Sequence, residues 1–360
     1  MEAWLCALAE LAGVGPARLR ALLSIGAPDE VWRRLEVGPL PRVDGVAAAL
    51  VSQWRRQVST VDVGRVWARY EERGTGVMAH GAAGYPEVLV DDPDPPAVLF
   101  LHGEPHAFRL PRVGIVGTRR CTNYGADVAF ELGRGLAAAG VCVVSGLAVG
   151  IDAAAHAGAI DADLAPPVAV VGSGLDVVYP RQNRHLWHSV ASRGAVVSEA
   201  PLGVAPEPWR FPARNRIIAG LSDIVVVVES KSSGGSMHTV NEAIERGVPV
   251  MAVPGPIRSP ASAGTNRLLS EGCAPVCDVD DLLVMLGLDE RAIARTDARP
   301  EPSPTGRRVL DAFCWQPVGL DTLVGRTGLP IPDIALTIER LLADRWIVRN
   351  GPWLERAAAG

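Results

Sequence analysis

One apolar run limits the possible folds more than any other stretch of this chain. Residues 224–228 read Ile-Val-Val-Val-Val, an unbroken series of β-branched side chains. A strand without polar alternation is buried on both faces, which is typical of a parallel sheet with helices on either side. A helical pattern with Arg214, Asn215 and Arg216 near its start precedes the run, and a small-residue turn at residues 232–236 follows it. We therefore expect an α/β sheet with potential anion-binding loops on both flanks of this strand.

Further apolar runs alternate with helical patterns on both sides of this strand, at residues 113–117, 141–144, 168–171, 195–197 and 249–253. This alternation predicts a doubly wound, mostly parallel Rossmann-like α/β sheet with right-handed crossovers. Ligands of such sheets bind beyond the carboxyl ends of the strands. Two short runs, at residues 76–79 and 97–102, are expected to add strands to one edge of the sheet.

The remaining segments predict two appendages. Residues 1–60 are helical by pattern and form a SAM-like or helix-hairpin-helix-like domain, while residues 61–288 form the extended Rossmann-like domain. A charged, proline-rich stretch at 289–306 is expected to be a linker. Residues 307–356 show three helical patterns and a hairpin with an Asn-Gly turn, which predicts a winged-helix domain. Its presumed recognition helix has few basic residues, which favours protein contact or an interdomain role over reading of a DNA groove.

The turn Gly13-Val14-Gly15-Pro16 between the first two helical patterns leaves two interpretations open. In a helix-hairpin-helix, backbone amides of such a turn bind a nucleic-acid phosphate. In many helical domains, however, the same residues make an ordinary tight connection. A single short copy slightly favours the ordinary connection.

Composition excludes several classes of protein. The formal net charge of the 360 residues is −5, so any nucleic-acid binding must come from a local basic patch. The six cysteines are dispersed except for Cys273 and Cys277, which argues against a zinc site and for reduced thiols in a cytosol. The amino-terminal residues lack a basic segment, and no apolar stretch approaches the roughly 20 residues of a membrane span. We expect a soluble, cytoplasmic protein.

The residues at the predicted strand ends fit no familiar cofactor or catalytic arrangement. Gly172 and Gly174 supply two glycines of a dinucleotide motif, but the segment continues into Tyr179-Pro180 instead of opening a helix. Ser145 is not part of a G-x-S-x-G elbow. Other polar residues have structural explanations of equal weight: helix capping or loop packing for Asp152 and His156, loop anchoring for Glu199, and a local helix contact for His238 and Glu242. We therefore expect no cofactor.

Phosphate binding explains these strand ends best. Arg119, Arg214 and Arg216 all fall where the fold places ligand loops, and Gly234, Gly235 and Ser236 offer backbone amides. A structural salt bridge would explain any one arginine, whereas three that converge with glycine turns predict an extended polyanion as ligand. Phe211 lies just before the arginines, where it can stack on an unpaired base or pack in the core.

Taken together, these motifs resemble those of the DNA-processing protein A family (DprA, also called Smf). The matching segments run in the family's order, at residues 117–125 (GTRRCTNYG), 145–156 (SGLAVGIDAAAH), 172–180 (GSGLDVVYP), 198–201 (SEAP), 211–223 (FPARNRIIAGLSD), 234–239 (GGSMHT), 253–256 (VPGP) and 264–272 (GTNRLLSEG). The resemblance implies a non-enzymatic protein that binds single-stranded DNA in natural transformation, protects incoming strands and helps to load a RecA-type recombinase. It also implies a homodimer formed through the Rossmann-like domain. Carried over by motif, the DNA site comprises Gly117, Arg119, Ser145, Gly146, Phe211, Arg214, Asn215, Arg216, Gly234, Gly235 and Ser236.

Departures from the family pattern keep other functions open. The usual Ser-Gly-Ser-Leu turn is replaced by residues 234–237, and the basic residue often found before the Phe-Pro pair is replaced by residues 207–210. The alternative is a nucleoside-monophosphate phosphoribohydrolase, because Gly235, Thr239 and Glu242 match the offsets of its phosphate turn and catalytic glutamate. Ser236 and His238 stand there in place of two glycines. A third possibility is a nucleotide-sensing scaffold.

Overall fold

The computed structural model describes residues 1–43, 45–288, 300–313 and 317–357. The chain divides into two compact units, Met1–Ala292 and Ile293–Gly360. The first unit is built around a nine-stranded sheet and the second around a helical core with a two-stranded hairpin.

The sheet confirms the predicted architecture. Its strands, in chain order, are β1 (Gly76–Ala79), β2 (Val98–Gly103), β3 (Arg112–Val116), β4 (Cys142–Ser145), β5 (Val168–Val171), β6 (Ala195–Ser198), β7 (Ile224–Val227), β8 (Val250–Ala252) and β9 (Ala274–Pro275). Their spatial order is β1-β2-β6-β5-β4-β3-β7-β8-β9. The seven strands from β3 to β9 pair in parallel, and β1 and β2 extend one edge antiparallel. All residues of β7 are buried, as its β-branched run predicts.

Helices cover both faces of the sheet and position its loops. Those of the first unit are α1 (Glu2–Ala9), α2 (Pro16–Leu23), α3 (Pro28–Val37), α4 (Ala48–Val58), α5 (Val63–Glu72), α6 (Asn123–Ala138), α7 (Ile151–Ala162), α8 (Arg184–Arg193), α9 (Arg210–Leu221), α10 (Ser236–Glu245), α11 (Ala263–Ser270) and α12 (Val279–Met285). Helices α6 and α7 approach so closely that a Cβ on Gly133 or Gly158 would collide with backbone of the other helix. This contact fixes the loops that precede both helices, and those loops carry the candidate site.

The amino-terminal helices pack into the first unit. Trp54 and residues of α1 share one hydrophobic core with Tyr70 of α5 and Phe100 of β2. The Tyr70 hydroxyl accepts a hydrogen bond of 3.3 Å from Leu202 N, which lies in the loop after β6. The expected domain boundary at residue 60 stays a prediction. This core contains residues from both sides of that position.

The second unit confirms the winged-helix prediction. Its helices are Pro304–Asp311, Leu320–Thr327 and Ile331–Ala343, followed by the antiparallel strands Ile347–Asn350 and Trp353–Arg356. The predicted linker at 289–306 lies largely outside the described residues, and its last residues already belong to the first of these helices. None of the helices in the described ranges is long and apolar enough to cross a bilayer.

Candidate nucleic-acid interface

A small cavity lies at the carboxyl ends of β3, β4 and β5, where the fold is expected to bind ligands. We call it the strand-end pocket. It has a volume of about 40 Å³ and is lined by Arg119, Gly146, Ala148, Val149, Val171, Gly172, Ser173, Tyr179, Pro180, Phe211 and Arg214. Four of the sequence-predicted residues therefore meet here: Arg119, Gly146, Phe211 and Arg214.

Arg214 is the buried charge of the pocket. Only 7% of its surface is exposed, and its Nη1 donates a hydrogen bond to the carbonyl of Val170 in β5. Its Nε has no hydrogen-bond partner among the described residues. Burial lowers the pKa of Arg214 to about 10, with nearby Asp152 acting in the opposite direction. The guanidinium stays protonated at neutral pH, so the pocket contains a fixed and incompletely bonded positive charge.

Gly146 allows this arginine to reach its position. A Cβ at Gly146 would collide with both terminal nitrogens of Arg214. The residue therefore serves close packing against a charged group, which explains why a glycine follows β4.

Asp152 of α7 holds the loop that contains Gly146. Its Oδ2 accepts hydrogen bonds from Gly146 N at 3.2 Å and from Ala148 N at 3.4 Å. Burial raises the pKa of Asp152 to about 6, and the charge of Arg214 partly offsets this effect. The sequence suggested helix capping for Asp152. The structure corrects this interpretation: the N-cap of α7 is Gly150, no side chain caps the helix, and the Asp152 carboxylate bonds the pocket loop instead. The same carboxylate offsets part of the charge of Arg214.

The same loop is held by several buried groups. Leu147 is fully buried with a φ of 53°, a left-handed conformation that is uncommon for a leucine. Its carbonyl accepts a hydrogen bond of 2.9 Å from Asn183 Nδ2. Ser145 is also fully buried and donates to the carbonyl of Ile115 at 2.6 Å. Ser145, which the resemblance places in the DNA site, therefore uses its hydroxyl to support the loop. His156 is buried below the loop, where burial lowers its pKa to about 3.

The mouth of the pocket is a stack of one cation and two aromatic rings. The Arg119 guanidinium lies 4.9 Å from the centroid of the Phe211 ring. Phe211 and Tyr179 stack with centroids 5.5 Å apart and planes inclined by 27°. Phe211 therefore contacts the site instead of the core, and the sequence analysis missed Tyr179 as its partner. The Arg119 guanidinium therefore covers part of the Phe211 ring in this structure.

Arg216 does not join the other two arginines, which corrects the expectation that all three converge. It is 7% exposed, and its Nη2 bonds both carboxylate oxygens of Glu199 at 2.8 Å. Its Nε bonds Asp94 Oδ2 at 2.6 Å. Arg20 of α2 contacts the same two carboxylates. This network connects α2 to α9 and to the loop after β6. Arg216 thus forms a structural salt bridge and Glu199 anchors a loop, which are the structural explanations that the sequence analysis offered for them.

The amino terminus of α6 is occupied by a carboxylate. Glu229, just after β7, accepts hydrogen bonds from Thr122 Oγ1 at 2.6 Å and from Thr122 N at 2.9 Å. Helix amino termini at this position bind the pyrophosphate of dinucleotides in related folds. A buried glutamate at that point opposes a second anion. Gly117 lies beside it, and a Cβ there would collide with Ile151 and with the Glu229 carbonyl, so this glycine too serves packing.

The remaining predicted residues lie outside the strand-end pocket. The turn with Gly234, Gly235 and Ser236 follows β7, on the far side of β3 from β4 and β5. Gly234 N donates to the Lys231 carbonyl at 3.0 Å and Ser236 Oγ donates to Ser230 Oγ at 2.8 Å, so the turn bonds largely to itself. Asn215 is half-buried on α9. None of these four residues is part of the pocket wall as the described residues form it.

Glu242, the candidate catalytic residue of the alternative enzyme, forms an ion pair. Its Oε2 accepts from Arg246 Nη1 at 2.6 Å, and Arg246 also bonds Asp92 through Nε at 2.7 Å and Nη2 at 3.0 Å. His238 is exposed. The local contact suggested for His238 and Glu242 is therefore replaced by a pair between Glu242 and Arg246, which gives the carboxylate a structural role.

Comparisons with known proteins agree with the fold and the motifs. A family model described as DNA recombination-mediator protein A matches residues 76–287, and a model of the DprA winged helix domain matches residues 293–341. Protein Smf from Synechocystis is 30% identical over 379 residues, which cover 94% of each chain. DNA processing protein DprA from Bacillus subtilis is 38% identical over 234 residues, covering 65% of this chain and 78% of that protein.

Two solved structures are similar to this chain in fold. The structure of DNA processing protein A from Streptococcus pneumoniae has a TM-score of 0.67 and 29% identity, and covers 79% of this chain and 98% of that one. The protein of the same name from Helicobacter pylori has a TM-score of 0.53 and 29% identity, and covers 60% of this chain and 96% of that one. The family model alone spans more than half of the residues. The chain therefore belongs to the DNA recombination-mediator protein A family, whose members include the proteins named DprA and Smf.

Proposed function

We propose that this protein binds single-stranded DNA at the strand-end pocket, through Arg119, Phe211, Tyr179 and Arg214. The observation that carries the proposal is the cation and aromatic stack beside a buried, incompletely bonded arginine. Stacked rings next to fixed positive charge are how proteins bind unpaired strands without reading sequence. The Helicobacter pylori relative supports this assignment, since its structure concerns a single-stranded DNA binding mode.

Binding exchanges one contact of Phe211 for another. In the free protein Arg119 lies over the ring, an exposed cation–π contact of about 0.5–1 kcal/mol. Stacking of a base on an aromatic side chain contributes about 1–3 kcal/mol. The replacement of the cation–π contact by base stacking is therefore favourable. The base stacks on the Phe211 ring, and the released Arg119 guanidinium binds the adjoining phosphate as a bidentate donor. Arg119 is exposed, so it moves without breaking the core.

Arg214 has a different task from Arg119. It is held by the Val170 carbonyl and by packing against Gly146, so its position does not depend on the ligand. Such a fixed charge attracts a phosphate at little reorganisation cost. Because the chain as a whole carries a net charge of −5, these local charges must outweigh the general repulsion of DNA. Binding is expected to weaken steeply as salt rises.

We extend the proposal to the cellular role that the family membership suggests. The protein would act without catalysis in the cytoplasm, protect single strands that enter during transformation, and help a RecA-type recombinase to assemble on them. A homodimer through the first unit fits its surface, because large apolar side chains stay exposed on the elements that follow β7, namely Ile244, Ile257, Val284 and Met285. We propose that these side chains come together in one dimer interface, since contiguous exposed apolar patches mark sites of protein contact.

Fluorescence anisotropy tests the binding proposal directly. Labelled poly-dT and a duplex of equal length are titrated with the wild type and with the Arg119→Ala/Arg214→Ala variant across a series of salt concentrations. We expect preference for the single strand, a steep negative salt dependence and strong loss in the variant. Equal binding of the variant, or binding that salt does not change, would refute the proposal.

A recombinase assay tests the finer role. A RecA-type recombinase is added to a strand already covered by a single-strand-binding protein. Filament formation is monitored through the rate of ATP hydrolysis by the recombinase. The wild type should shorten the lag, whereas the double arginine variant should not. If both proteins act equally, recombinase loading is independent of the strand-end pocket.

A further inference from the structure

A second cavity adjoins the strand-end pocket on the other side of Arg214. We call it the hairpin groove. Its volume is about 540 Å³, within the rough range of 300–1,000 Å³ found for ligand sites. It lies between the turn that joins α1 to α2 and the carboxyl ends of β5 and β6, with α9 as its floor. Val171, Gly172 and Arg214 line both cavities, so the groove continues the pocket.

The groove contains its own aromatic and cationic pair. Trp209 is 54% exposed, although it is one of the largest apolar side chains of the chain. The Arg210 guanidinium lies 4.4 Å from the Trp209 ring centroid, and Glu207 bonds Trp209 Nε1 at 3.1 Å and Arg210 Nε at 3.0 Å. This pair immediately precedes Phe211 in the chain. The start of α9 thus presents one stacking group to the pocket and another to the groove.

The opposite wall is the turn that resembles a helix-hairpin-helix. Arg18 Nη1 donates to the Gly13 carbonyl at 2.7 Å, which holds a positive charge at the turn. The turn is anchored by Trp54 Nε1, which donates to the Ala12 carbonyl at 2.9 Å. Nothing lies within 4 Å of the position that a Cβ on Gly15 would take, so a ligand can reach the backbone there. The amino terminus of α2 adds a partial positive charge.

The charges that face the groove leave it suited to a phosphate. Its two carboxylates are already paired, Glu10 with Arg69 and Tyr70, and Glu199 with Arg216. Arg214, more than nine-tenths buried, lines the groove and has an Nε without a partner among the described residues. Arg210 is paired with Glu207, so the cations that an anion in the groove would meet are Arg18 at the turn and Arg214.

We infer that the hairpin groove binds the next nucleotides of the same single strand, with a base on Trp209 and a phosphate at the turn with Gly13 and Gly15. This inference rests on the proposed function. It assigns the amino-terminal helices a direct part in binding and sets a direction for the strand, from Phe211 across Arg214 to Trp209. It assigns the turn between α1 and α2 a phosphate contact, which is the alternative that the sequence alone did not favour.

Length dependence tests the inference separately from the proposed function. Dissociation constants are measured for dT oligomers of about 6 and about 20 nucleotides, a range that brackets typical strand sites. Trp209→Ala should weaken binding of the long oligomer about 5- to 150-fold and leave the short one within about twofold. Gly15→Val should do the same, since its φ of −109° suits valine and the side chain would enter the groove. Trp353→Ala, which removes another exposed tryptophan, is the matched control.

The outcomes separate the two ideas. If Trp209→Ala and Gly15→Val bind both oligomers like the wild type while Arg119→Ala still weakens both, the groove is not a strand site and the proposed function stands. If Arg119→Ala has no effect either, the proposed function fails. Photocrosslinking locates the strand: 5-iodouracil, moved stepwise along the long oligomer, should yield adducts on Trp209 from different positions than on Phe211. Adducts on Phe211 alone would overturn the inference.

Discussion

The exchange of partners at Phe211 predicts a particular coupling between Arg119 and Phe211 in a double-mutant cycle. Each single substitution removes one contact to DNA, a phosphate contact for Arg119→Ala and a stacked base for Phe211→Ala. Each also removes the contact between the two side chains that must be broken before DNA binds. A single variant has no contact between Arg119 and Phe211 to break, so its measured loss of affinity is smaller than the contribution of the DNA contact it has lost.

The magnitude follows from the free protein. Breaking the exposed cation–π contact costs about 0.5–1 kcal/mol of binding free energy in the wild type. Each single variant avoids this cost, so the sum of the two single losses subtracts it twice, whereas the double variant avoids it once. Its loss of binding free energy should therefore exceed the sum of the single losses by about 0.5–1 kcal/mol, a factor of about 2 to 5 in Kd. The single losses should differ in kind as well. Arg119→Ala should reduce the slope of log K against log salt by about 0.7, whereas Phe211→Ala should leave it unchanged.

The assay is anisotropy with labelled poly-dT for the wild type, both single variants and the double variant at one salt concentration. Arg120→Ala provides the control cycle, because Arg120 is the exposed neighbour of Arg119 and its losses should add to those of Phe211→Ala. If Arg119 stays on Phe211 in the complex, both single variants damage one shared unit. The double variant would then lose less than the sum, and the exchange mechanism would be wrong.

Four further predictions concern the supports of the site. Gly146→Ala should displace Arg214 and weaken poly-dT binding at least tenfold in anisotropy, with little change in the urea midpoint. Arg216→Ala removes both hydrogen bonds of the buried Glu199 to this arginine and leaves it only the contact to Arg20 at 3.9 Å. It should lower the free energy of unfolding in urea by about 3–5 kcal/mol, a loss that adding Glu199→Gln should partly restore. Burial lowers the pKa of His156 to about 3, so the folded protein holds a neutral imidazole. The stability of the fold is therefore unaffected by this group above its ordinary pKa near 6.5, and it falls as the pH is lowered from there toward 3. His156→Asn should therefore lose less stability than the wild type between pH 6.5 and 4.5, by about 2 kcal/mol in urea unfolding, and an equal loss would refute neutral burial. Val284→Glu should convert a dimer to a monomer in light scattering, and an unchanged mass would place the interface elsewhere.

The sheet was predictable because its signals are local and repeated. Each buried parallel strand is a short apolar run, and each run is followed by a helical pattern, so one rule applied along the chain yields the topology. The rule did not predict β9, because its two residues, Ala274 and Pro275, are too few to form an apolar run. The site's location at the strand ends followed from the fold alone.

The roles of the arginines on α9 were predictable in part from a signal that was present in the sequence. Residues two apart on a helix point about 200° away from one another, so Arg214 and Arg216 face different surroundings. Phe211 and Arg214 are three apart and share a face, and they line the same pocket. What helical spacing does not reveal is which face meets acidic residues. Glu199 and Asp94 come from distant segments and bond two nitrogens of Arg216, whereas Arg214 bonds a backbone carbonyl. Each arginine also keeps one buried nitrogen without a partner among the described residues, Nε of Arg214 and Nη1 of Arg216.

Glu229 shows why the site lies where it does. In a doubly wound sheet the amino terminus of the first crossover helix is the usual place for a phosphate, because its amides and dipole favour an anion. Here a buried carboxylate from the segment after β7 takes that place and bonds Thr122, the residue that caps α6. Under the proposed function, an anionic ligand binds further along the edge, at Arg119 and Arg214, and not at the amino terminus of α6. Side chains can move, as we propose for Arg119 at Phe211, and they can line a path longer than one phosphate. The carboxylate of Glu229 at the end of α6 therefore argues against a single nucleotide bound there and agrees with the proposal of an extended strand that continues into the hairpin groove.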